Sequence, residues 1–196
     1  MDSHLYPYRD IVKLLQKWEK GLERENAPEI QKLRQFEVKT LCDALSDIFA
    51  YAETDLRLTA LDALPFIVPA QEMTGLLIGC LSDPRSSVRW TACKIFQRCP
   101  DPEAIPNLIH LLEQDENPTV RFMAAELLCE FGDERALAAL SNVVENDSGK
   151  DYEGRTVAEA AREAINSIQE RMKAAKDLSP TSSQASTLHQ HTDESG

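Results

Sequence analysis

Val88-Arg89-Trp90-Thr91-Ala92 recurs 32 residues later as Val120-Arg121-Phe122-Met123-Ala124, and Leu56-Arg57-Leu58-Thr59-Ala60 precedes it by the same interval. The register extends outward from this segment: Asp101 maps onto Asp133, Ala104 onto Ala136, Leu76 onto Leu108 and Leu140, and Asp83 onto Asp115 and Asp147. A period of that length is one helical hairpin, repeated so that each unit buries its apolar face on the next. The fold expected is all-α, a right-handed α-solenoid of about four to five hairpins, which presents extended surface in place of a closed catalytic pocket.

Helical spacing of Ile11, Val12, Leu14, Leu15, Trp18 and Leu22 predicts an amphipathic helix over 8–24. Ala27-Pro28 ends it or opens the next, because proline suits a first helical turn. A second stripe through Phe36, Leu41, Ala44, Leu45, Ile48 and Phe49 runs to about Tyr51; shifted by 32, Leu41, Leu45 and Ile48 fall on Met73, Leu77 and Cys80. It is expected to be the second half of a divergent first repeat. Regular first helices are predicted near 55–66, 86–98 and 118–131, and second helices near 70–82, 102–114 and 134–146. The turns between them carry Asp or Pro residues that cap or open a helix.

After Asp147 the register slips: Val120 and Ala124 next match Val157 and Ala161, so five residues are inserted within 148–154. The helix expected at roughly 155–175 is polar on its outer face and suits a terminal cap. The expected organisation is an N-terminal helix over 1–28, the array with its cap over 29–176, and a disordered tail over 177–196, which lacks the apolar residues to fold.

Five cysteines, Cys42, Cys80, Cys93, Cys99 and Cys129, form no CxxC pair and follow no signal peptide, so they are expected to be reduced thiols in a cytoplasmic protein. No apolar run approaches the ~20 residues of a membrane span. Net charge is −12, and residues 40–149 alone carry 18 acidic against 7 basic groups. Such a surface repels a phosphate backbone, which argues against nucleic acid and points, if to any partner, to a basic protein; the commoner reason for an acidic face is that it aids solubility.

Asp83-(x5)-Arg89 and Asp115-(x5)-Arg121, followed by Ala92 and Ala124-Ala125, resemble HEAT repeats, especially the short type called phycobilisome-lyase HEAT-like. The likeness covers roughly residues 36–172. It implies a hydrogen-bonded ladder of Asp and Arg along the stack, in which Asp83, Arg89, Asp115 and Arg121 are structural. Tyr51 stands where the pattern has Asp and Ala158 where it has Arg, so the ladder is expected to fail at both ends and to hold between Asp83 and Arg121.

Two kinds of enzyme resemble such arrays. A HEAT-like metal hydroxylase takes its ligands from repeated His-Glu pairs, whereas His110 is followed by Leu111, and His4, His189 and His191 lie near the termini. Bilin lyases match in outline only. Cys80, Cys99 and Cys93 align with Leu112, Phe131 and Ala125, which marks them as packing residues, while Cys129 aligns with Gln97 and is expected to be more exposed. No catalytic, cofactor or metal site is expected.

Two partner surfaces follow from the period. With Val120 at 0° and ~100° per residue, Phe122 falls at about 200°, away from the buried side. Phe122 and its equivalents Trp90 and Leu58 are thus expected to form an outward apolar stripe, unless curvature or an adjacent loop covers them. On the second helices, with Ile105, Leu108, Ile109 and Leu112 inside, an outward ridge of Glu103, Asn107, His110 and Gln114 is expected. One repeat later it continues as Arg135, Ala139, Asn142 and Asn146. The function these features favour is non-enzymatic protein binding by an adaptor, assembly factor or regulatory subunit. The alternatives are a lyase-like or chaperone subunit acting on a tetrapyrrole-bearing protein, and an immunity protein neutralising a basic toxin.

Overall fold

A computed structural model describes residues 5–18 and 25–178. Among these residues the chain forms ten α-helices and no strand: α1 (Leu5–Lys17), α2 (Pro28–Leu33), α3 (Val38–Tyr51), α4 (Thr54–Ile67), α5 (Ala70–Leu81), α6 (Ser86–Phe96), α7 (Ile105–Gln114), α8 (Pro118–Phe131), α9 (Leu137–Asn146) and α10 (Val157–Leu178). They stack as an α-solenoid. First helices α4, α6 and α8 pack in file and α10 continues them, while second helices α3, α5, α7 and α9 form the other layer. His4, the tail from 179 onward with His189 and His191, and the end of the predicted lead-in helix at 19–24 lie outside the described residues.

Equivalent positions form the core. Ala60, Ala92 and Ala124 are fully buried, as are Leu64, Phe96 and Leu128 on the first helices and Leu108 with Leu140 on the second. Burial of such side chains, at about 1.5–3 kcal/mol for each large one, holds successive units together.

The turns follow the aspartates and prolines. Asn117 caps α8 by accepting from Thr119 N, with Pro118 in the first turn. Asp101 and Asp133 accept from Glu103 N and Arg135 N, and each opens a short 3-10 turn, Pro102–Ala104 and Glu134–Ala136, that leads into α7 and α9. Two of the three predicted second helices, those at 102–114 and 134–146, therefore begin as tighter turns. The single stripe expected from Pro28 to Tyr51 is broken at 34–37, where Arg34 Nε donates to Phe66 O at 2.7 Å. α2 packs on α4 and α3 on α5, so the divergent first repeat has both halves.

α10 closes the stack with Val157, Ala161, Ala164 and Ile168 inward. Arg171 Nη1 donates to Cys129 O and its Nη2 to Gly132 O, each at 2.7 Å, satisfying carbonyls that the end of α8 leaves open.

Candidate protein-interaction surface

The ladder fixes the geometry of one edge of the array. Arg89 Nε and Nη2 donate to Asp115 Oδ2 and Oδ1 at 2.6 and 2.7 Å, and Arg121 repeats the arrangement on Asp147 at 2.6 and 3.0 Å. The free Nη1 of each arginine reaches back to the carbonyl of the aspartate six residues earlier, Asp83 or Asp115. Arg57 donates to the Asp83 carboxylate through Nη1 alone, at the same 26-residue separation. The ladder is thus longer than the stretch from Asp83 to Arg121: Arg57 and Asp147 add a rung at each end. Both carry the 32-residue register, so the signal was present in the sequence. Tyr51 is 84% exposed, and Arg57 Nε turns instead to the carbonyl of Ala52 at 2.7 Å. Each aspartate also pins its own turn, since Oδ1 of Asp83, Asp115 and Asp147 accepts from the backbone N–H two residues on.

Two open pockets lie on this edge, where a second helix hands over to the next first helix, with volumes of about 360 and 440 Å³. Their walls correspond residue by residue across the repeat. Leu81, Asp83, Arg89, His110, Leu111, Gln114 and Asp115 of the first become Glu113, Asp115, Arg121, Asn142, Val143, Asn146 and Asp147 of the second. The structure therefore gathers His110, Gln114, Asn142 and Asn146 at these pockets, all four exposed. Asn146 Nδ2 donates to Asn142 Oδ1 at 2.8 Å, which orients that amide pair.

Other expected ridge residues are placed elsewhere. Glu103 and Arg135 are exposed but sit on the 3-10 turns outside the pockets, with Arg135 folded onto its neighbour Asp133 at 2.7 Å. Asn107 is half-buried and its equivalent Ala139 is only 5% exposed, so neither belongs to an outward ridge. Leu111 is buried, and Ile109, expected inside, is half-buried. The cause is that α7 packs extensively on α8, and α9 on α10: each second helix is covered by the following unit. The buried arc shifts to take in positions 107 and 111.

The apolar stripe also requires correction. Phe122 is 5% exposed because the guanidinium of Arg155 lies 4.2 Å over its ring. The inserted segment places that arginine. Asp151, buried at its centre, accepts from the backbone N–H of Glu153 and Arg155 and from Arg155 Nε, each at 2.8 to 2.9 Å. Burial pushes the Asp151 carboxyl up, but these bonds outweigh it and hold it below its ordinary range. Arg155 also approaches Glu126 at 3.5 Å. Leu58 and Trp90 are half-buried, with Lys94 Nζ 5.9 Å from the Trp90 ring. An adjacent loop therefore covers the stripe at its third member.

Cys80 and Cys93 are buried, and desolvation raises each thiol to about 12. Cys42, Cys99 and Cys129 are half-buried.

Residues 73–166, which contain both pockets, match the family model for HEAT repeats. Over that span the array is similar to HEAT repeats. No curated protein matches the chain. HEAT repeats generally mediate protein–protein interaction and are generally non-catalytic, and no helix among the described residues is long and apolar enough to cross a membrane.

Proposed function

We propose that this chain is a non-enzymatic protein-binding module, an adaptor, assembly factor or regulatory subunit, that holds a basic partner along the pocketed edge of its HEAT-like array. The observation that carries this reading is the equivalence of the two pockets. The repeat itself accounts for the concavity, but neither core nor ladder requires the exposed amide and imidazole groups that stand at matching places within it. The preponderance of acidic groups over residues 40–149 supports a cationic partner, because complementary charge steers association and excludes wrong partners. An immunity protein that neutralises a basic toxin is one form of the same reading.

The test is retention of a partner by the full chain, compared with a variant carrying His110→Ala, Gln114→Ala, Asn142→Ala and Asn146→Ala and with Trp90→Ala. The quadruple variant is expected to release what the unaltered chain and Trp90→Ala both hold. Release by Trp90→Ala alone would move the contact to the surface around Trp90, Asn117 and Thr119.

A further inference from the structure

We infer that a second contact site, between the first turns of α6 and α8 and bounded by the inserted segment, takes an uncharged, proline-rich segment of a partner protein in the polyproline II conformation. The site is separate from the ladder edge and does not rest on the reading of it.

Aromatic rings form its walls. An open pocket of about 350 Å³ is lined by the half-buried Trp90 ring of α6 and by Tyr152 of the inserted segment. Tyr152 is 71% exposed, so its ring adds little to the core. The period does not account for this arrangement. One repeat earlier the places of Ser87, Trp90 and Asn117 are taken by Asp55, Leu58 and Arg85, which are charged or aliphatic. One repeat later the place of Trp90 is Phe122, closed by the Arg155 guanidinium. Open aromatic walls are therefore a departure from the array and not a by-product of stacking.

Chemistry selects the occupant. None of the residues lining this pocket carries a charge, whereas carboxylates and arginines line both pockets of the ladder edge. In a chain of net charge −12 such a lining suits an uncharged ligand, because a charged one would lose water to groups that cannot neutralise it. The polar groups present are donors. Asn117 Oδ1 is held by Thr119 N at 2.9 Å, which leaves its amide Nδ2 to donate, and the hydroxyls of Ser86, Ser87 and Thr119 add to it. Trp90 Nε1 is buried with no hydrogen-bond partner among the described residues, a cost that a small turn of the half-buried ring onto a ligand carbonyl removes. A proline segment is the complement of these features. It has carbonyls but no N–H, makes no internal hydrogen bonds as a polyproline II helix, and lays apolar rings on aromatic side chains. An α-helix keeps its carbonyls for its own N–H groups. A saccharide brings hydroxyl donors, and no carboxylate lines this pocket to receive them.

The experiment titrates fluorescein-labelled dodecaproline, and a glycine–serine peptide of equal length and label, against the full chain by fluorescence anisotropy. Dodecaproline is expected to bind about tenfold more tightly, with an affinity that stays constant as ionic strength rises, because no ion pair contributes. Trp90→Ala and Tyr152→Ala are each expected to weaken it by about tenfold. Tyr152 is exposed, so its variant tests the site without touching the core. Equal affinity for both peptides, no binding of dodecaproline, or binding that survives Tyr152→Ala overturns the inference. Binding of maltohexaose in place of dodecaproline would assign the pocket to a saccharide, and loss of peptide binding as the chain self-associates would assign it to a second copy; either overturns it too. The quadruple variant of the ladder edge is expected to bind dodecaproline as the unaltered chain does, and loss there would move the peptide to that edge. Should that variant keep both dodecaproline and its basic partner, the reading of the edge fails while this one stands.

Discussion

Arg89 grips Asp115 with two parallel hydrogen bonds of 2.6 and 2.7 Å, while its third donor holds the carbonyl of Asp83 at 2.7 Å. One guanidinium therefore ties the turn before its own helix to the equivalent turn one repeat later, at the end of α7. The Asp115 side chain is 1% exposed, so removing its partner strands a buried charge. Arg89→Ala is expected to lower unfolding free energy by about 3 kcal/mol, and Arg89→Met with Asp115→Leu to recover part of it. Urea denaturation of the two variants checks this. Arg135→Ala, which breaks only an exposed pair, should leave the midpoint where it was; a loss as large as that of Arg89→Ala would show that the ladder has no special standing.

Gly149 sits against the last rung. A Cβ there would lie 2.5 Å from Arg121 Nη2 and 2.8 Å from Asp147 Oδ1, whereas one at Gly75 meets nothing within 4 Å. Gly149→Ala should therefore destabilise by about 1–3 kcal/mol, and Gly75→Ala, inside α5, should stabilise by about 0.5–1 kcal/mol. Opposite shifts in melting temperature are the expected result; shifts of the same sign would contradict it.

Acid acts through the inserted segment. Hydrogen bonds hold the Asp151 carboxyl low despite its burial, and those from Arg121 and Gly149 do the same for Asp147. A carboxylate depressed in the folded state contributes stability that is complete above its unfolded value of about 4 and is lost as pH falls through the lower folded value. The stability gap between the unaltered chain and Asp151→Asn should therefore be widest at neutral pH and narrow on acidification below that point. Urea midpoints across that range report it, and a gap independent of pH would rule it out.

Phe122 is a packing residue. Phe122→Ala should cost about 3 kcal/mol through the cavity it leaves, while partner affinity at the pocketed edge stays unchanged once folded protein is compared with folded protein. Loss of affinity without loss of stability would restore it to the binding surface.

Thiol chemistry should divide the cysteines. Cys80 and Cys93, buried and raised to about 12, are expected to resist iodoacetamide in the native state, with the half-buried Cys42, Cys99 and Cys129 labelled first. Site-resolved mass spectrometry distinguishes the two groups, and early labelling at Cys93 would contradict the packing of α6.

The repeat made most of this architecture legible, since a residue such as Leu128 is buried for the same reason as Phe96 and Leu64. Helix starts at Pro118 and Pro102 were equally plain, because proline and the aspartate or asparagine before it act within a few residues. What a single-helix wheel missed was nonlocal. Ala139 and Leu111 are covered by the following helix, and Phe122 by an arginine 33 positions further along, and neither partner appears in the periodicity of the segment itself. The pockets fell between these cases: His110, Gln114, Asn142 and Asn146 were visible as a polar ridge, but their grouping with the ladder required the turns to be placed.

The ladder has a consequence for how the chain can be rebuilt. Each arginine and its aspartate lie within one block, 57–83, 89–115 or 121–147, so a cut between blocks keeps every charge paired and frees only the arginine donor that reaches the preceding aspartate's carbonyl, whereas a cut inside a block strands a guanidinium and a carboxylate. Splicing in a further 32-residue block in phase restores the carbonyl bond as well. The array is thus modular only in whole steps, and the number of equivalent pockets along its edge is a quantity that can be dialled by adding units.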